Sequence, residues 1–359
     1  MTTRFILIAV LAVLLAASLA ACGSLGGSTA TTSPAPAGSP GSASPSPAAS
    51  PLAGGVRELP AEVGSPTLGG TLTLPAGDGP FPAVVLVSGS GPNDRDETIG
   101  PNKPFRDLAR GLARRGIATL RYDKRSRAYP GSADPRTFTV QDEYVPDALA
   151  AIAVLEREPA VDPRRIFLLG HSQGGTLAPL IAAKAPQLAG VILYAASTES
   201  LGAAMLRQLR YLATLPGDTG AQARAQLPEA EQLTALLDSR AALARQDPGR
   251  ALMGGVGPAY FLSALDYDEV AAARALPQPL LLVQGGRDYQ VTVADDLRAW
   301  QQGLMGRDGV TVEVLPADDH IFFRGSGRPT PAGYTRPGHV DPAAIAAVAR
   351  WVRAVSTRP

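Results

Sequence analysis

Apolar and polar positions change their spacing several times along this chain, and each change marks an element. An apolar run from Phe5 to Ala21 is followed by a stretch almost free of large apolar groups. Residues 68–74 (Leu-Gly-Gly-Thr-Leu-Thr-Leu) then alternate with period two, as half-exposed antiparallel strands do. Residues 83–87 are continuously apolar instead, the pattern of a parallel strand covered on both faces, and run into Ser88-Gly89-Ser90-Gly91-Pro92. Helical spacing follows in 104–115, with Leu108 and Leu112 four apart, then a strand at 117–122. A helix is expected at 142–157, with Val145, Leu149, Ile152 and Leu155 on one face, before Pro159 and Pro163 break the chain.

The next strand ends at Gly170-His171-Ser172-Gln173-Gly174 and passes into Ala- and Leu-rich helical sequence, in which Pro179 predicts a kink or a short first piece. Further strands are expected at 190–194, 280–284 and 310–315, with helices at 293–304 and 341–355. Such alternation demands right-handed crossovers and an α/β fold with a mostly parallel sheet and helices on both faces. It fails only at about 198–276, where helical spacing continues without a strand. A helical insertion there is placed to cap a site built on the strands' C-terminal ends, the alternative being extra packing with no part in substrate choice.

The ends of the chain read differently. Thr2-Thr3-Arg4, the apolar run and Leu19-Ala20-Ala21-Cys22 describe an export signal over 1–21, resembling a bacterial lipobox in which Cys22 becomes the lipidated first residue. An extracytoplasmic protein held to a membrane through Cys22 is therefore expected. From 22 to 55 the chain is Ser, Thr, Pro, Ala and Gly, too poor in apolar groups to offset chain entropy, and reads as a tether. The domain proper is 56–359. Cys22 is the sole cysteine, which excludes disulfides and thiol chemistry from that domain. A net charge of +1 with interleaved signs gives no reason to expect a nucleic-acid partner. Only Lys103, Lys124 and Lys184 among the 33 cationic residues are lysine.

Gly170-His171-Ser172-Gln173-Gly174 between strand and helix is the pattern of a nucleophile elbow, where glycines permit a tight reversal and the serine hydroxyl stands exposed. Acyl transfer by serine needs a base, an acid to orient the base, and amide donors for the oxyanion. Of three histidines, His171 adjoins the serine and is directed away from it, and His339 lies just before the last helix. His320 follows the last strand, giving the order Ser172, Asp288, His320 of the α/β-hydrolase template. Asp288 sits in the glycine-rich turn after a strand; Glu199 and Asp319 compete for its role, and Asp319 reads better as a solvated loop charge. The oxyanion donors are expected to be the N–H of Gln173 and that of Ser90, with Gly91 second. The charged run 94–97 either faces substrate or forms a solvated ion-pair cluster. Patterns for metal or cofactor binding are not found in the sequence, and none is expected.

Ser88-Gly89-Ser90-Gly91-Pro92-Asn93-Asp94-Arg95-Asp96, Leu120-Arg121-Tyr122-Asp123-Lys124-Arg125, the elbow, and Gln284-Gly285-Gly286-Arg287-Asp288-Tyr289-Gln290-Val291 together resemble bacterial α/β-hydrolases of the EstD-like carboxylesterase group, often labelled with the serine aminopeptidase type. The resemblance covers nearly everything from residue 56 onward. It implies an α/β-hydrolase fold and esterase activity on small acyl esters, with Ser172, Asp288 and His320 as triad. Ser126 departs from the group's usual glycine, and Asp318-Asp319 stand where uncharged residues are usual, which predicts a raised imidazole pKa at His320. A peptidase or amidase with the same triad, or a non-catalytic binding protein on this scaffold, are the alternatives.

Overall fold

The computed structural model describes residues 52 and 54–357. The export signal, Cys22 and the tether apart from its last residues lie outside the described residues. Among those described, no helix is long and apolar enough to cross a membrane.

Strands β1 (Arg57–Val63), β2 (Leu68–Leu74), β3 (Phe81–Val87), β4 (Ala118–Tyr122), β5 (Val161–His171), β6 (Gly190–Tyr194), β7 (Leu280–Gly285) and β8 (Val310–Leu315) form one sheet in the order β1-β2-β4-β3-β5-β6-β7-β8. β2 pairs antiparallel with β1 and β4, and every other pairing, β4-β3-β5-β6-β7-β8, is parallel. The apolar runs mark the strands buried on both faces: in β5, Ile166 and Leu168 enter one core while Phe167 and Leu169 enter the other. Each fully buried side chain of that size contributes ~1.5–3 kcal/mol.

The helices are α1 (Pro104–Ala113), α2 (Arg125–Ala128), α3 (Val140–Glu156), α4 (Gln173–Ala183), α5 (Leu201–Ala213), α6 (Gly217–Leu237), α7 (Arg240–Leu243), α8 (Pro258–Leu265), α9 (Glu269–Ala275), α10 (Arg298–Gly303) and α11 (Pro342–Ser356). Those of α1 and α11 pack on one face, through Leu108, Leu112, Val348 and Val352, and those of α3 and α4 on the other, through Ile152, Leu155, Leu177 and Ile181. Helices α5 to α9 fill the interval between β6 and β7 without a strand.

Two local expectations need correction. α3 begins at Val140 rather than 142, because Thr139 and Asp142 form a capping box: the Thr139 hydroxyl accepts from the Asp142 amide, whose carboxylate takes the Thr139 N–H. α4 runs from Gln173 to Ala183 with Pro179 inside it, so no short first piece is split off.

β3 lies between β4 and β5, so the chain leaves β3 toward one side of the sheet and returns through α3 to the other. This is a topological switch point, and ligands of open α/β sheets bind outside the carboxyl ends of the strands at such a point. The register pairs Val87 with Gly170, so the loop starting at Ser88 and the turn at Ser172 emerge side by side.

Candidate active site

Ser172 joins β5 to α4 with φ +52° and ψ −123°, a conformation a non-glycine residue adopts only when its surroundings hold it. The Ser172 N–H donates to the Tyr194 carbonyl at 2.9 Å, and its own carbonyl accepts from the amides of Gly175 and Thr176. The flanking glycines are required by close approach. A Cβ on Gly170 would lie 2.1 Å from the Gly174 carbonyl oxygen, and one on Gly174 would lie 2.5 Å from that of Ser88. Gly89 is also close to the serine, though less tightly confined, since a Cβ there would lie 3.0 Å from the Ser172 Cβ.

His320 stands in the loop after β8, with Nε2 3.1 Å from the Ser172 hydroxyl oxygen and Nδ1 2.7 Å from Asp288 Oδ2. The Asp288 carboxylate is wholly buried in the turn after β7. Its Oδ1 accepts from the amides of Gln290 and Val291 at 2.7 and 3.0 Å, and its Oδ2 also accepts from the Gln284 side chain at 3.2 Å. The acid is thus fixed by donors before the imidazole is counted. Phe322 holds the His320 loop: it is buried against the Tyr194 ring, 3.6 Å between centroids, with φ +59°.

The other candidates go elsewhere. Glu199 pairs with Arg207 at 2.9 Å, and His339 is an exposed ring touching Asp107. Asp319 is buried rather than solvated, and its carboxylate accepts from the amides of Ile321 and Phe323, capping the turn after the histidine. Burial raises its pKa against the pull of those amides. Asp318 is buried beside Asp341, and desolvation with that neighbouring charge raises its carboxyl to about 7. With a pKa of about 7, Asp318 is only partly ionised at neutral pH.

The run 94–97 neither meets solvent as a cluster nor stands free for substrate. Arg95 pairs with Asp123, and Asp96 bridges Lys103 and Arg121. Glu97 is buried with φ +52°; one oxygen accepts from the Gly89 amide at 2.7 Å and the other lies 2.9 Å from His171 Nδ1, off the line of an ideal N–H bond. His171 Nε2 is 2.9 Å from the His320 carbonyl oxygen. Desolvation lowers the His171 pKa, but the Glu97 carboxylate outweighs it and the net shift is upward.

Below the Ser88–Gly91 loop lies a second buried polar group that sequence reasoning missed. Lys124 Nζ reaches the Gly89 carbonyl at 2.9 Å, the Tyr144 hydroxyl at 2.6 Å and Glu143 Oε1 at 3.1 Å. Tyr144 in turn meets Gln173 Oε1 at 2.9 Å and Gly89 O at 3.0 Å. Tyr260 of α8 donates to Glu143 at 2.6 Å and accepts from the Gln173 side chain at 3.2 Å. The available signal was Lys124 itself, a rare lysine in an arginine-rich chain, just past the end of β4. Burial lowers its pKa, against the opposing pull of Glu143.

Comparison with known proteins agrees with this architecture. The model of the alpha/beta hydrolase family matches residues 84–331. Esterase EstD of Thermotoga maritima is 40% identical over 277 residues, 77% of this chain and 63% of that protein, so the chain spans somewhat under two thirds of the relative's length. The crystal structure of 2,6-dihydroxy-pseudo-oxynicotine hydrolase is similar with a TM-score of 0.51 at 16% identity, covering 85% of this chain and 69% of the other, a likeness of fold. A mostly parallel eight-stranded sheet, a serine turn at its switch point and a family match across most of the domain lead to one conclusion: this chain belongs to the alpha/beta hydrolase family.

Proposed function

We propose that this protein is a serine carboxylesterase acting on short acyl esters through Ser172, His320 and Asp288. The observation that carries the proposal is the unbroken line from the Ser172 hydroxyl through both imidazole nitrogens to a buried carboxylate, 3.1 and 2.7 Å. The 40% identity to a protein named Esterase EstD supports the choice of ester over other acyl groups.

In this mechanism Ser172 Oγ attacks the acyl carbon while His320 Nε2 takes its proton. Asp288 keeps the Nδ1–H directed inward and stabilises the imidazolium. The oxyanion is received by the N–H of Gln173, which opens α4 and has no intrahelical acceptor, and by that of Ser90. Collapse of the tetrahedral species breaks the ester C–O bond and the imidazolium protonates the departing alcohol. Water, deprotonated by the same imidazole, then attacks the acyl-enzyme and releases the acid and Ser172. Helices α5–α9 act as a cap over the entrance. We also propose that Cys22 is acylated after export and holds the domain outside the cytoplasm; Cys22→Ala should then move the protein from the membrane to the soluble fraction.

The deciding experiment combines short p-nitrophenyl esters, matched aminoacyl amides and a fluorophosphonate probe. Turnover of the esters and labelling of Ser172, both lost in Ser172→Ala with the fold retained, are expected. Substantial ester hydrolysis by Ser172→Ala would overturn the mechanism, and preference for the amides would make the protein a peptidase.

A further inference from the structure

We infer that Lys124, with Asn93 and Tyr144, is a positioning device for the oxyanion hole: it fixes and polarises the Gly89–Ser90 peptide so that the Ser90 N–H faces the reacting carbonyl. The inference rests on the esterase assignment above and extends it to residues that never touch substrate. A trans peptide holds its C=O and N–H on opposite sides of one plane, so whatever binds the Gly89 oxygen also aims the Ser90 hydrogen. This bond is trans.

The Gly89 oxygen is held from within the protein by Lys124 Nζ at 2.9 Å and from the loop by Asn93 Nδ2 at 3.1 Å. Lys124 is 4% exposed and Ser90 is exposed, so the carbonyl points inward and the amide outward. On the preceding peptide the Gly89 N–H is held by Glu97 at 2.7 Å. Gly89 is therefore fixed at both of its polar atoms, while its Cα faces the Ser172 side chain so closely that a Cβ would lie 3.0 Å from the Ser172 Cβ. A cation on the carbonyl oxygen draws electron density across the peptide and strengthens its N–H as a donor, an effect enlarged where the local dielectric is low.

Tyr144 couples this peptide to the other oxyanion residue. Its hydroxyl accepts from Lys124 and has one proton to give, either to Gly89 O at 3.0 Å or to Gln173 Oε1 at 2.9 Å. Given to Gln173, that proton completes a chain from the Gly89 oxygen through Lys124 and Tyr144 to the start of α4; given to Gly89, it adds a third donor to the loop's carbonyl. Glu143 balances the buried cation, so the device adds no lone charge to the interior.

The test compares Asn93→Ala, Tyr144→Phe and the double variant Lys124→Met/Glu143→Gln, which leaves neither charge unpaired. Turnover of a short p-nitrophenyl ester is measured with the affinity for an aryl trifluoromethyl ketone, whose hemiketal oxyanion on Ser172 mimics the intermediate. Loss of a whole oxyanion donor costs ~10²–10³ in kcat, so a weakened donor is expected to cost about 10-fold in each single variant and about 100-fold in the double variant. KM should stay within about twofold, and ketone affinity should fall by the same factor as kcat. Lower thermal stability with kcat and ketone affinity unmoved would make these residues structural only and overturn the inference. If the double variant does not fold, the two single variants decide by the same criterion, Asn93 lying outside the buried core. A wild-type protein that neither hydrolyses esters nor labels at Ser172 would instead remove the esterase assignment, and the inference with it.

Discussion

At the scale of single residues, the site depends on places where a side chain has no room and on charges whose surroundings alter them. Gly174→Ala would push a Cβ against the backbone oxygens of Val87 and Ser88, at 2.6 and 2.5 Å, with no side chain there to yield. A loss of ~1–3 kcal/mol in urea unfolding is expected, with misplacement of Ser172 lowering kcat further. Asp318 gives a pH signature. Its folded pKa of about 7 lies above the value of an exposed carboxyl, so between roughly pH 4 and 7 the unfolded chain releases this proton while the folded protein retains it. Its contribution to stability therefore falls as pH rises through that window. The raised His171 acts in the same direction, stabilising below about pH 6.5 and losing that effect as pH climbs through its folded pKa. Asp318→Asn is expected to reduce the drop in Tm between pH 5 and pH 8; an unchanged drop would remove Asp318 as its source.

At the scale of elements, helix and strand beginnings are fixed by a few hydrogen bonds the apolar pattern does not contain. The capping box at Thr139 starts α3, the helix that carries Glu143 and Tyr144 under the loop after β3. Thr139→Ala should cost ~1 kcal/mol in chemical denaturation with little change in KM, because the cap lies at the exposed end of the helix. Val145, Ile152 and Leu155 were legible as a buried face, since that face repeats with the helical period. Glu143, Tyr144 and their partner Lys124 were not, because buried polar groups have no period: their positions depend on which distant atoms need a partner.

At the scale of the whole molecule, the helical interval between β6 and β7 is tied to the sheet by polar groups as well as by apolar packing. Arg207 of α5 meets Glu199, Asp295 and Asp296 at 2.9, 3.1 and 2.7 Å, the last of these carboxylates being fully buried. Tyr211 stacks on Tyr289, one residue past Asp288, with 4.9 Å between centroids. Arg207→Ala should loosen this attachment, which limited proteolysis would detect as faster cleavage within 201–243 while the strands stay protected. Equal cleavage of both proteins would show that packing alone holds these helices.

The sequence by itself determined the parallel sheet, the serine turn and the ends of the strands that carry Asp288 and His320, because strand burial and glycine-dependent turns are local properties of the chain. It also supplied the order of those three residues along the fold. Only the tertiary structure decided that Asp319 is buried, that Glu97 leaves a charged run to bind His171 and the Gly89 amide, and that Lys124 stands beneath the loop beside Ser172. The physical reason is the same in each case. A charge taken out of water must find polar partners in space, whether the amides that follow Asp319 in its own turn or, for Glu97 and Lys124, the distant side chains of His171 and Glu143.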